Sequence, residues 1–182
     1  MSDEQLYQQY LEGDEQAAAT LVERYGDWLT LYINGYLSDP SEAEDLMIEA
    51  FSRIFAKERP VFGEGAFRAY LYKVARNLAL RHKKKPRLLF LPMEEMEFEL
   101  PSTPPVETDL LRSEQNRQLY AALECLKPEY REALYLVYFC NLSYRSAAQV
   151  MGKNEQQVTN LVHRSKQRLK SLLEQEGFTY AE

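Results

Sequence analysis

Apolar residues in this chain recur at helical spacing through most of its length. Phe67, Tyr70, Leu71, Val74, Ala75 and Leu78 fall at i, i+3, i+4, i+7, i+8 and i+11, which predicts one buried stripe on a helix over 66–85. A first helix is expected over about residues 3–12, broken by Gly13-Asp14. A longer one turns Leu21, Tyr25, Trp28, Leu29, Tyr32 and Ile33 inward and reaches about Leu37. Ser38-Asp39-Pro40-Ser41 reads as a turn, with Ser41 and Glu44 forming a capping box for the next helix. That helix carries Ala43, Leu46, Met47, Ala50, Ile54 and Phe55 on one face, to about Lys57. Pro60, Gly63 and Gly65 then mark a loop.

Residues 86–109 hold Pro86, Pro92, Pro101, Pro104 and Pro105 among acids and show no period, as a linker would. Its start, Leu88-Leu89-Phe90-Leu91, is apolar enough to pack on another surface. Helices over 110–125 and 128–140 follow, with Pro128 suited to a first helical turn. No alternating run of β-branched residues is bounded by hairpin turns. The expected class is therefore all-α: two small helical domains, 1–86 and 111–182, joined by a Pro-rich acidic linker over 87–110.

The second domain ends in a helix-turn-helix pattern. Ser143 caps a short helix through Met151, Gly152-Lys153-Asn154 makes a tight turn, and a longer helix starts at Glu155. Asn154 is its expected cap, with Gln157 in the capping-box position. Val158, Leu161, Val162, Leu169, Leu172 and Leu173 supply the buried stripe. Gln156, Gln157, Thr159, Asn160, His163, Arg164 and Lys166 are left outward near the N-terminal half, the part a recognition helix inserts into the major groove. Gln and Asn pair bidentately with adenine and Arg with guanine, while Lys suits phosphate.

Charge sharpens this reading. The chain of 182 residues carries a formal −6, yet residues 143–172 hold Arg145, Lys153, Arg164, Lys166, Arg168 and Lys170 against Glu155 alone. An acidic protein meets duplex DNA only if its basic groups share a face. Residues 1–60 hold thirteen acids against four bases, residues 68–87 eight bases and no acid, and residues 88–111 six acids and no base. Such alternation predicts several different contact surfaces.

In the basic helix, Phe67, Tyr70 and Tyr72 interleave with Arg68, Lys73 and Arg76, the combination that stacks bases and tracks a single-strand backbone. Phe67 and Tyr70 lie on the apolar stripe and read first as core; Phe62 in the preceding loop is better placed to hold a splayed base. Lys83-Lys84-Lys85 also serves as a helix end matched to the macrodipole. Glu42, Glu44 and Asp45 stabilise a helix N-terminus, whereas Glu49 lies past that turn and points to a basic partner.

Composition excludes other classes. With 45% apolar residues the chain buries a core, and its polar, acidic first ten residues are unlike a secretory signal. No apolar stretch approaches a membrane span. Cys125 and Cys140 lack metal-ligand spacing and fit a reducing cytoplasm; His82 and His163 are isolated. No catalytic constellation is present, so neither enzyme nor cofactor is expected. The helix-turn-helix alone also admits a transcriptional regulator, a two-fold dimer on a palindrome.

Three segments together carry a resemblance. Ser41-Glu42-Ala43-Glu44-Asp45-Leu46-Met47-Ile48-Glu49-Ala50-Phe51 resembles the region by which sigma-70-type initiation factors grip core RNA polymerase. Phe67-Arg68-Ala69-Tyr70-Leu71-Tyr72-Lys73-Val74-Ala75-Arg76-Asn77-Leu78-Ala79 resembles their −10 promoter helix, and Leu126-Lys127-Pro128 through Leu173 their −35-binding domain. The two-domain layout is similar to the extracytoplasmic-function class. The resemblance implies an alternative sigma factor acting in the cytoplasm, with core polymerase, promoter DNA and a possible anti-sigma factor as partners and no membrane insertion. It implies that Glu44, Asp45, Glu49 and Phe51 meet the β′ clamp helices. Phe62, Arg68, Lys73, Arg76 and Asn77 would serve the −10 element. Arg145, Gln156, Gln157, Thr159, Asn160, His163, Arg164 and Lys166 would serve the −35 element. Ile48, Tyr70, Arg81 and Ser146 stand where the family usually has Gln, Trp, an acid and Glu.

Overall fold

In the computed structural model, residues 1–61, 63–82 and 109–175 are described, with backbone alone for 109–116. They form eight α-helices and one π-helical turn. The first four are α1 (Asp3–Leu11), α2 (Glu15–Leu37), α3 (Pro40–Lys57) and α4 (Ala66–His82). They pack as a bundle, with α2 lying against the other three. Each contributes a stripe at 3.6-residue spacing: Leu21, Leu29 and Ile33 from α2, Ala43, Ala50 and Ile54 from α3, and Phe67, Leu71 and Ala75 from α4 are fully buried. Each large side chain so buried stabilises by about 1.5–3 kcal/mol. Tyr7 of α1 closes one end, donating its hydroxyl to the Ile54 carbonyl at 3.2 Å.

The cap of α3 differs from the expected one. Asp39, not Ser41, is the N-cap, accepting from the Ser41 and Glu42 amides, and Pro40 takes the first helical position. Proline there has its φ preset and no amide to satisfy, which moves the boundary two residues earlier.

The remaining helices are α5 (Asp109–Glu124), α6 (Pro128–Leu134), α7 (Tyr144–Met151) and α8 (Glu155–Gln175). The helix expected over 128–140 is in fact two elements: α6 gives way to a π turn over Tyr135–Phe139, where the Cys140 amide reaches the Tyr135 carbonyl at 3.0 Å. Asn141, at φ 52°, ends it in the left-handed region. The wider ring sets Tyr135 and Phe139 in parallel stack, centroids 5.5 Å apart, and turns both toward α2.

The helix-turn-helix forms at the expected residues. The Ser143 hydroxyl accepts from the Ser146 amide, and Gly152 at φ 65° ends α7 in the conformation glycine adopts at least cost. Asn154 and Gln157 exchange both capping-box bonds, at 2.8 and 2.9 Å. Val158 and Val162 anchor α8 beneath α7 and α6.

The two halves share one continuous core. Helix α7 packs on α4, and the π turn packs on α2. No described helix is long and apolar enough to cross a membrane. Lys83–Lys85 and the Leu88–Leu91 run lie outside the described residues, as does the 87–110 segment except for the first turn of α5.

Candidate nucleic-acid interface

Three surfaces hold the predicted residues. On α3, Glu44 and Asp45 are exposed and Glu49 is half-buried, bonded to Arg53 one turn on at 2.9 Å. Ile48 stands among them with 58% exposure, an apolar contact point inside an acidic face. Phe51 differs from expectation: it is buried and stacks on Phe55 with centroids 5.8 Å apart. Its position one turn beyond Met47 turns it into the bundle, so it supports the acidic face from below.

On α8, Gln156, Asn160 and His163 recur at helical spacing and are exposed, as are Gln157, Arg164 and Lys166. Gln156 donates to the Asn160 carbonyl oxygen at 3.2 Å, so the two amides are held side by side. Thr159 is half-buried with its hydroxyl bonded back to Glu155, and Gln157 is bound in the capping box. Lys166 lies over the Tyr138 ring, 4.7 Å from its centroid, at the margin of this face. Arg145 on α7 is exposed, 3.5 Å from Glu155.

The α4 group is divided. Lys73 and Asn77 are exposed, while Phe62 lies outside the described residues. Arg68 and Arg76 are drawn into a polar seam between the two halves. Arg68 donates to Asp3 at 3.2 Å, to the Tyr25 hydroxyl at 2.9 Å, and to the carbonyls of Cys140 and Asn141 at 3.2 and 3.1 Å. Arg76 donates to Glu132 of α6 at 2.8 Å. The same Glu132 oxygen accepts the Tyr32 hydroxyl at 2.8 Å and the Tyr36 hydroxyl. Phe67 and Tyr72 are core residues, as the period implies for Phe67.

These contacts set the charge states. Burial works against the Asp3 carboxylate, but the Tyr25 hydrogen bond and the Arg24 and Arg68 charges outweigh it and hold its pKa below the usual value. Burial, then the Asp3 contact, push the Tyr25 phenol up to about 12. Burial opposes the Arg76 charge, and the Glu132 carboxylate more than restores it. The Cys140 thiol, beside Tyr72 and Tyr135, is pushed up by burial.

Sequence reasoning had not found Asp3, Tyr32, Tyr36 and Glu132. The available signal was Glu132 itself, an acid directly before the apolar run Ala133-Leu134-Tyr135-Leu136. Its partners lie 56 or more residues away and leave no local pattern.

Among the described residues no group of three potential ligands stands close enough to hold a metal.

Comparison with known proteins matches this geometry to its kind. Sigma-70 region 2 matches residues 21–87, and Sigma-70, region 4 matches residues 116–169. The chain is 33% identical to the ECF RNA polymerase sigma factor BldN of Streptomyces coelicolor over 165 residues, covering 88% of this chain and 62% of that protein. It is 30% identical to the RNA polymerase sigma-H factor of Pseudomonas aeruginosa, covering 82% of each. The fold is similar to that of CnrH, solved in complex with the cytosolic domain of CnrY, with a TM-score of 0.64, 20% identity, and coverage of 96% of this chain and 98% of that one. Two ordered helical regions, matched in sequence and in fold, place the chain in the sigma-70 family of RNA polymerase sigma factors, in its extracytoplasmic-function class.

Proposed function

We propose that this chain is an alternative sigma factor that binds core RNA polymerase in the cytoplasm and directs it to promoters with −10 and −35 elements. It performs no chemistry of its own. Its units are 1–86 for polymerase and the −10 element, 87–110 as connector, and 111–182 for the −35 element. The observation that carries the reading is the exposed acidic face of α3 on the same chain as the exposed amide and basic face of α8. Glu44, Asp45 and Glu49, with Ile48 among them, meet the β′ clamp helices. Gln156, Asn160, His163 and Arg164 face the −35 duplex, with Arg145 and Lys166 on its phosphates. Lys73, Asn77, Arg68 and Arg76 serve the −10 strand.

Two modest DNA contacts on one scaffold reinforce each other through effective concentration, so neither needs high affinity alone. In the free chain Arg68 and Arg76 are already engaged, which predicts weak promoter binding without polymerase. An inhibitory protein that holds the halves together is the kind of regulator this arrangement admits. The test is co-elution with purified core polymerase. Wild type is expected to co-elute, and Glu44→Lys with Asp45→Lys to elute free while melting within about 0.5 kcal/mol of wild type, since both sites are exposed. Undiminished co-elution of the double variant would remove α3 from the polymerase interface.

A further inference from the structure

We propose that Tyr138 is a positioning residue for duplex DNA: its ring holds the Lys166 ammonium ready for a backbone phosphate beside the base-reading face of α8. The π turn is the device that puts the ring there. The assignment deepens the −35 reading and rests on it for the duplex that α8 faces.

A solitary exposed tyrosine carries no message, since the surfaces of soluble proteins hold many. Tyr138 is set apart by how it comes to be exposed and by what lies on it. In an uninterrupted α-helix residue 138 would follow Tyr135 at i+3 and share its face. Tyr135 is 1% exposed and stacks on Tyr32 of α2. The wider ring closed by the Cys140 amide and the Tyr135 carbonyl changes the phase. Tyr138 emerges 51% exposed, and Phe139 stacks on Tyr135 in its stead. Turns of this kind are rare and recur at functional sites.

The Lys166 ammonium lies 4.7 Å from the centroid of the Tyr138 ring, the shortest of three cation–ring contacts among the described residues. Its basic neighbours are held differently. Arg145, Lys153 and Lys170 stand 3.5, 3.1 and 3.8 Å from the carboxylates of Glu155, Glu129 and Glu174. Among the described residues no carboxylate pairs with Lys166, which is exposed. An acid orients a cation and neutralises it, whereas a ring orients it and leaves its charge for an incoming anion.

Placement on α8 identifies the anion. Lys166 follows His163 at i+3 and Thr159 at i+7, so it flanks the face that carries Gln156, Asn160 and His163. From that flank a point charge meets the strand backbone rather than a base edge. Ordering one long side chain on binding costs about two- to tenfold in affinity. Part of that ordering is already present in the free chain, because the ring comes from a separate, packed element.

The test is anisotropy of the full chain with a fluorescein-labelled, mixed-sequence duplex of about 30 base pairs, over a salt series from about 25 mM upward. Lys166→Ala is expected to weaken binding about fivefold and to lower the slope of log K against log salt by about 0.9, the value of one phosphate. Tyr138→Leu is expected to weaken binding about threefold, while Tyr138→Phe, which keeps the ring, stays within about 1.5-fold of wild type. In a Lys166→Ala background Tyr138→Leu is expected to change nothing further. A structural loss would instead add in either background. Both sites are exposed, so melting temperatures are expected to hold, and circular dichroism confirms folding.

Wild-type affinity in Tyr138→Leu, or an equal loss in both backgrounds, overturns the positioning role. Tyr138→Phe as weak as Tyr138→Leu overturns the part given to the ring. An unchanged salt slope in Lys166→Ala, or no duplex binding by wild type at the lowest salt, overturns the phosphate contact. All are read on the free chain, so failure of the sigma-factor reading appears separately, as absence of co-elution with core polymerase.

Discussion

Replacing Asp3 with Asn removes one negative charge from a point where three helices meet. Asp3 of α1 bonds Arg24 of α2 at 2.6 Å, Arg68 of α4 at 3.2 Å, and the Tyr25 hydroxyl. Its side chain is 6% exposed, while those of Arg24 and Arg68 keep 38% and 23%. Removing one member of a fully buried pair costs about 3–5 kcal/mol. Both arginines can turn toward water here, and the amide oxygen still accepts from Tyr25, so about 2 kcal/mol is expected at pH 7. For a chain of this size that corresponds to roughly 4–8 °C in melting temperature. The Asp3 carboxyl titrates lower folded than its usual 3.8, so its contribution is complete above that value and lost as pH falls through the folded pKa. Urea unfolding of wild type and Asp3→Asn at several pH values tests this. The gap is expected to be full at neutral pH and to close in acid. A gap below about 0.5 kcal/mol at pH 7, or one that persists unchanged below pH 3, refutes the electrostatic account.

Asn154→Ala removes the side-chain oxygen that accepts the Gln157 amide at the start of α8, leaves the backbone bond from residue 154 to Gln157, and is expected to cost about 1 kcal/mol in thermal melts. Asn160→Ala with Arg164→Ala removes two exposed side chains proposed to read bases and is expected to cost about 1–3 kcal/mol of discrimination for each lost base contact in competition footprinting of holoenzyme, while the melting temperature stays put. Tyr25 titrates at about 12, above the ordinary phenol value of 10, so the stability its protonated form contributes is present below pH 10 and lost as pH rises through 12. Phenolate absorbance at 295 nm should therefore rise late and together with loss of helicity, and Tyr25→Phe should be less stable than wild type below pH 10, with a smaller decline in stability between pH 10 and 12.

What the chain's sequence made legible was local. The stripe from Phe67 to Leu78, the Asn154–Gln157 box and the Gly152 turn each rest on interactions within a few residues, and each formed where periodicity and capping chemistry put it. The cap of α3 was misplaced by two residues because Asp39-Pro40 outcompetes Ser41, with proline occupying the position that needs no amide. The family resemblance implies a polymerase contact for Phe51, but helical phase buries it against Phe55. The π turn had no legible signal, since it is selected by the rings of α2 that Tyr135 and Phe139 meet. For the same reason Glu132 was missed: its partners come from α2 and α4, and only the docking of the two halves brings them together.

The central claim is most directly tested by run-off transcription with core polymerase, this chain and a genomic fragment library, followed by start-site mapping. The account predicts starts that share two spaced upstream elements, and their loss when Glu44 and Asp45 are both changed to Lys. No starts, together with protection of a palindrome by the chain alone, would contradict it and identify a self-sufficient DNA-binding regulator.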